Sequence, residues 1–310
     1  MTRWFLSREL LIGVAVAVLV AGVAFVYGLR WVESAITFHP ERIAPDRALQ
    51  PPTGAEDVWF AAADGTRLHG WYFNNQTPAM ASIVYFHGNG GNISNVDWIG
   101  EAFARRGFNV LLFDYRGYGL SAGSAKAESD LYLDGEAAVD FVINNKRTSP
   151  DRIVLYGQSL GTAIVTEVAA RRNVGALVLE SGFSSASSVA ASALPWLPRF
   201  LHFLARNRFE SARKLARIRV PVLITHGDPD PVIPTDESRA LFAAANEPKK
   251  LLIFPGAGHN VFGSKGQAYM DQLEQFIRDS LRSQVFKNAV VLLSQDDTNS
   301  KYNGRSTART

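Results

Sequence analysis

The chain of 310 residues contains no cysteine. That absence excludes disulfides, thiolate metal sites, a cysteine nucleophile and attachment to a lipid through a thiol. A surplus of one charge sign is also lacking: 32 Lys and Arg against 29 Asp and Glu leave a net charge of +3. So small a surplus gives no electrostatic footprint for nucleic acid, and no nucleic-acid motif accompanies it. The glycine-rich stretch Gly88-Asn89-Gly90-Gly91 is not followed by the Lys-Ser/Thr pair of a phosphate-binding loop, so nucleotide binding is not expected. No metal or organic cofactor is implied, and no internal repeat is present. The chain does have apolar residues in quantity, 47% against 20% charged, enough for one large core plus extra segments.

One apolar run stands apart. Residues 10–29 carry no charge. As a helix, a run of that length reaches about 30 Å, the thickness of a bilayer's hydrocarbon core. Trp4 and Phe5 before it and Tyr27 and Trp31 after it suit the two headgroup levels. A cleavable signal peptide is the competing reading, with Gly22-Val23-Ala24 as its small-residue site, but the apolar run continues past that point. Residues 10–29 are therefore expected to be a single membrane anchor after a short flank, 1–9. Arg3 and Arg8 lie on one side, and Arg30, Arg42 and Arg47 on the other. If the amino-terminal flank sets the orientation, the rest of the chain lies on the extracytoplasmic side.

Residues 30–55 read as a connector, because Pro40, Pro45, Pro51 and Pro52 prevent a continuous helix. Two apolar runs, 58–63 and 67–73, flank Asp64-Gly65 and predict a hairpin. Short apolar strands are then expected at 83–86, 108–113, 153–156, 176–179, 222–225 and 251–254. Helices are expected at 94–106, 126–145, from Ser159 onward, and at 266–282. This alternation predicts an α/β fold, a mostly parallel sheet of about eight strands covered on both faces, over residues 56–285. Within it, 183–220 reads as a cap insertion, and 286–310 as a polar, disordered tail.

The strongest motif is Gly157-Gln158-Ser159-Leu160-Gly161, placed between a predicted strand and a predicted helix. A serine on such a sharp turn projects its hydroxyl at a helix amino end, and glycines two before and two after make room for the neighbouring strand and helix. A hydroxyl nucleophile needs a base, and the base needs an orienting acid. Of six histidines, His259 is the best base: it lies in Pro255-Gly256-Ala257-Gly258-His259, just past a strand. His39 falls in the connector, His69 in the hairpin and His202 in the cap, while His87 and His226 precede glycines at strand ends and read as turn-packing residues. The acid comes from His226-Gly227-Asp228-Pro229-Asp230. Asp230 is favoured over Asp228, which reads as the turn residue.

The order Ser159, Asp230, His259, together with His87-Gly88-Asn89-Gly90-Gly91 and Asp114-Tyr115-Arg116-Gly117-Tyr118-Gly119-Leu120-Ser121, resembles the α/β-hydrolase superfamily. The branch it resembles contains serine-aminopeptidase-like hydrolases, membrane-anchored bacterial hydrolases and eukaryotic protein depalmitoylases. The resemblance covers residues 56–282 and implies a Ser-His-Asp triad. It also implies an oxyanion hole from the backbone N–H groups of Leu160 and Asn89, with Gly90 the lesser alternative. The depalmitoylases carry an amino-terminal cysteine cluster for lipid attachment; this chain has a hydrophobic run instead. In the Asp114–Ser121 turn, Arg116 is expected to make loop hydrogen bonds rather than touch substrate.

The cap mixes apolar residues with Arg199, Arg206, Arg208, Arg213, Lys214, Arg217 and Arg219. Such a surface suits anionic headgroups, and equally a helix packed on the core with a solvated charged face. The implied partners are a lipid-like or small acyl substrate and the membrane. The implied reaction is hydrolysis of an ester or thioester through an acyl-enzyme. An aminopeptidase, an acyltransferase, or a non-catalytic tethered binding protein are the alternatives.

Overall fold

A computed structural model describes residues 8–44, 49–75, 79–193, 196 and 205–303. Helix α1, Arg8–Thr37, opens the chain. It contains Leu11–Gly28, a stretch long and apolar enough to cross a membrane, with none of it buried against the rest of the protein. The helix runs eight residues beyond the expected end of the apolar run and takes the first part of the expected connector with it. No breaker stands between Arg30 and Pro40, and a proline's steric demand ends a helix only just ahead of itself.

Eight strands follow: β1 (Ala55–Ala61), β2 (Arg67–Phe73), β3 (Ser82–Phe86), β4 (Asn109–Phe113), β5 (Ile153–Gln158), β6 (Ala176–Glu180), β7 (Val222–Asp228) and β8 (Lys249–Pro255). They form one sheet in the order β1-β2-β4-β3-β5-β6-β7-β8. β1 pairs with β2, and β2 with β4, antiparallel; every other pair is parallel. The helices between them are α2 (Asp97–Ala104), α3 (Glu128–Asn144), α4 (Leu160–Arg171), α5 (Ala186–Ala193), α6 (Ser211–Leu215), α7 (Asp236–Ala244) and α8 (Val261–Asn303).

The central strands are apolar except at their ends because both their faces are covered. Val84 and Phe86, Leu155, Leu177 and Leu179 point into one buried cluster with α3 and α4. Ile83 and Tyr85, Val154 and Tyr156, Ala176 and Val178 point into the other, with α2 and α8. This is the two-residue alternation of a strand read out on two apolar layers.

Two differences from the sequence reading concern helices. α7 was not expected, because the proline-rich turn at 229–234 hides its start. The last helix was expected to close at 282 ahead of a disordered tail, but α8 continues to Asn303. Neither Gly nor Pro occurs from 267 to 303, so no local breaker stops it; its one irregular residue is Gly266 (φ 49, ψ −119). Within 183–220, expected as a cap insertion, α5 and α6 are described, and α6 buries Leu215 in the core; 194–195, 197–204 and hence Arg199 and His202 lie outside the described residues.

Candidate active site

The parallel strands deliver their carboxyl ends to one edge of the sheet, where α/β folds place their sites. There β5 turns into α4 at Ser159, whose φ of 51 and ψ of −118 are unusual for a residue with a side chain. The flanking glycines explain how such a turn fits. A Cβ on Gly157 would lie 2.5 Å from the Gly161 carbonyl oxygen, and one on Gly161 would collide with the backbone of Phe86 at the end of β3. Any side chain at either position would push strand and helix apart. The turn is held from the next strand, since the Ser159 N–H donates to the Glu180 carbonyl at 2.9 Å. Thr162 closes it from the other side, its hydroxyl donating to the Ser159 carbonyl at 2.6 Å.

The acid and the base meet. His259 Nδ1 lies 2.7 Å from Asp230 Oδ2, with the Asp230 side chain fully buried and the imidazole partly exposed. Asp230 Oδ1 accepts the backbone N–H groups of Val232 (2.8 Å) and Ile233 (3.1 Å). Asp228, the other candidate acid, is exposed, and among the described residues its carboxyl makes only a long 3.4 Å contact, with the Thr235 hydroxyl. Burial by itself would raise the Asp230 pKa. The hydrogen bonds from His226, His259, Val232 and Ile233 outweigh it and hold the carboxyl well below the usual carboxylate range. Asp230 is therefore ionised at neutral pH and fixes the Nδ1–H tautomer of His259, leaving Nε2 as the lone-pair face. Ser159 makes no side-chain hydrogen bond among the described residues, so the link from its hydroxyl to His259 is not closed. Such links are often loose before substrate is bound.

The oxyanion loop lies against the serine. A Cβ on Gly88 would stand 3.5 Å from the Ser159 Cβ, which places His87-Gly88-Asn89 directly over the elbow. Among the described residues, neither the Asn89 nor the Leu160 backbone N–H is taken by another group. The Asn89 carbonyl instead accepts the Tyr118 hydroxyl at 3.1 Å. Behind the loop, His87 Nδ1 donates to the Gly88 carbonyl at 2.7 Å, which leaves Nε2 unprotonated and facing Asp114 at 3.5 Å. An ionised Asp114 would set lone pairs against lone pairs. Burial accordingly pushes the Asp114 carboxyl up to about 8, and burial pulls the His87 imidazole down to about 4. The pair is neutral under the loop.

Two site residues escaped the sequence reading. His226, expected to pack a turn, is buried at the heart of the acid's shell. Its Nε2 lies 3.0 Å from both Asp230 Oδ2 and the Ile233 carbonyl, so it must carry the proton, and its Nδ1 faces the Ser238 hydroxyl at 2.6 Å. Glu180, at the end of β6, is fully buried. It takes the Tyr156 and Tyr269 hydroxyls and, at 3.1 Å, the N–H of Phe262 just past His259. Burial raises its pKa against those bonds. A charged residue ending an apolar strand was the available signal, because a buried carboxyl must find donors. Arg116 is a loop residue: its backbone N–H and guanidinium hold the buried Asp134, and one arm reaches Asp64 at 2.7 Å. Among the described residues no group of His, Asp and Glu is arranged to hold a metal ion.

Against known proteins, residues 77–212 and 196–266 match the family Hydrolase_4, "Serine aminopeptidase, S33". YfhR of Escherichia coli K12 is 35% identical over 247 residues, covering 75% of this chain and 84% of that protein. Rv2307c of Mycobacterium tuberculosis is 34% identical over 269 residues, covering 86% and 94%. Among solved structures, the esterase Pf2001 of Pyrococcus furiosus superposes with a TM-score of 0.65 at 19% identity, over 78% of this chain and 97% of its own. That likeness is one of fold.

Proposed function

Since the chain belongs to the serine aminopeptidase S33 family of α/β-hydrolases, we propose that this hydrolase is a serine esterase or thioesterase tethered to a membrane by α1. The reading rests above all on the buried, ionised Asp230 bound to His259 at 2.7 Å on the same sheet edge as the strained Ser159 elbow. His259 Nε2 takes the Ser159 proton as Oγ attacks the acyl carbonyl. The backbone N–H groups of Leu160 and Asn89 receive the oxyanion, a contribution of about 3 kcal/mol per donor. The imidazolium returns its proton to the leaving oxygen or sulfur, and the acyl group stays on Ser159. Water, deprotonated by the same imidazole, then releases the carboxylic acid. Esters and thioesters are preferred over amides because their leaving groups need less protonation. The α1 apolar stretch serves as the anchor, and the Arg3 and Arg8 flank puts the catalytic domain on the extracytoplasmic side.

The full-length protein in detergent micelles should hydrolyse p-nitrophenyl esters of graded chain length, and Ser159→Ala should not. Turnover of aminoacyl p-nitroanilides but of no ester would replace this reading with an aminopeptidase. Turnover of neither by a folded protein would favour a binding protein.

A further inference from the structure

The segment just past the apolar stretch is built into the candidate site. Glu33, near the end of α1, accepts the backbone N–H groups of Arg206 and Asn207 in the cap, each at 2.8 Å. Phe38 is buried edge-on against Phe209, which in turn packs on Phe183. The Asn89 carboxamide donates to the Thr37 carbonyl at 2.8 Å and lies 2.9 Å from His39 Nδ1. Its oxygen accepts the His39 N–H at 3.2 Å and the Tyr118 hydroxyl at 3.0 Å. Beyond Pro40 the chain continues along the Asp114–Ser121 turn, with the Gly119 N–H on the Glu41 carbonyl and the Ile43 N–H on the Gly119 carbonyl, both at 2.9 Å. Asn89 thus has two separate ends: its backbone N–H is left for the site, and its side chain is spent on the end of the membrane helix.

We propose that Thr37 and His39 are positioning residues of the oxyanion loop, so that the anchor helix sets the placement of the Asn89 N–H and hence the rate of the chemical step. The inference rests on the hydrolase reading above. From Gly28 at the end of the apolar stretch to Thr37 is nine residues of one continuous helix, about 14 Å. A helix that short and unbroken transmits its position directly to the loop it holds, with no flexible linker between. The catalytic rim is thereby fixed close to the headgroups, which suits acyl substrates presented at the bilayer surface.

The test uses the full-length protein in micelles and a short soluble p-nitrophenyl ester, so that membrane partitioning of substrate plays no part. His39→Ala removes one partner of the carboxamide at an exposed position, and Asn89→Ala removes the whole clasp while keeping the backbone N–H. We expect kcat to fall about three- to tenfold in His39→Ala and further in Asn89→Ala, the size of one and then several lost hydrogen bonds. KM should stay within about twofold, and kcat should fall by more than any drop in melting temperature explains, a split that merely structural docking does not produce. His39→Asn, which keeps an acceptor and the backbone N–H, should recover part of the loss. Unchanged kcat in both alanine variants, or a fall that only tracks melting temperature, overturns the proposal while leaving the hydrolase reading intact. A wild type that turns over no ester and no thioester removes both.

Discussion

Gly227, near the end of β7, lies directly against Gly258, the residue before His259: a methyl group on Gly227 would overlap the Gly258 carbonyl oxygen. The loops carrying the acid and the base are therefore held together by backbone contact and not only by the Asp230–His259 hydrogen bond. The Gly256 N–H adds a second tie, donating to the Asp228 carbonyl at 2.6 Å.

Gly227→Ala should accordingly separate the acid from the base. Overpacking of this kind costs about 1–3 kcal/mol in stability, and the geometry lost at the site should reduce kcat by more than the loss of folded protein explains. Urea midpoints together with ester hydrolysis rates will show both effects. Normal activity in a fully folded variant would mean that the loops can part without consequence.

His226→Ala should weaken the acid's shell. It removes a donor from the buried Asp230 carboxylate and an acceptor from Ser238. Hydrogen bonds to charged groups contribute about 1.5–3 kcal/mol each. The variant should unfold at lower urea and hydrolyse esters more slowly with little change in KM. His226→Phe, of similar bulk, should not restore activity, because packing is not what the imidazole supplies.

Asp114→Asn tests the neutral pair beneath the oxyanion loop. The folded Asp114 pKa lies above its unfolded value, so Asp114 contributes stability that is fully present below pH 3.8 and is lost progressively as pH rises to about 8. Asparagine keeps an acceptor for the Ile93 N–H and can donate to His87 without titrating. The difference in stability between variant and wild type should therefore shift in the variant's favour as pH climbs through that window. Parallel urea profiles across it would show that Asp114 ionises freely.

Arg116→Met should be severely destabilising. It would strand Asp134, whose side chain is wholly buried and held by both the Arg116 backbone and its guanidinium. Removing one partner of a buried pair costs about 3–5 kcal/mol. The double variant Arg116→Met/Asp134→Leu should recover much of that stability, and chemical denaturation of the three proteins measures it. Equal stability of single variant and wild type would mean that Asp134 is satisfied elsewhere.

The chemistry-bearing turns were legible in the sequence because each sits beside a short apolar strand that both layers of the fold demand. β3, β5 and β6 begin and end within two residues of their apolar runs. β7 was read three residues short, since His226, Gly227 and Asp228 are not apolar, yet they continue the ladder with β8. That shortfall is also why His226 passed for a turn residue. The contacts of Glu33 and His39 had no sequence signal at all: they depend on where the end of α1 and the residues after it lie over loops about one hundred and seventy and fifty residues away. Local pattern carries strands, glycines and motif order; contacts between distant loops arise only on folding.

The central claim is that Ser159 is an activated nucleophile. Full-length protein treated with a fluorophosphonate probe, digested and analysed by mass spectrometry, should carry one adduct, on the peptide containing Ser159. Labelling should be abolished in Ser159→Ala and strongly slowed in His259→Ala. A folded, unlabelled wild type, or an adduct that persists at another residue in Ser159→Ala, would contradict the account.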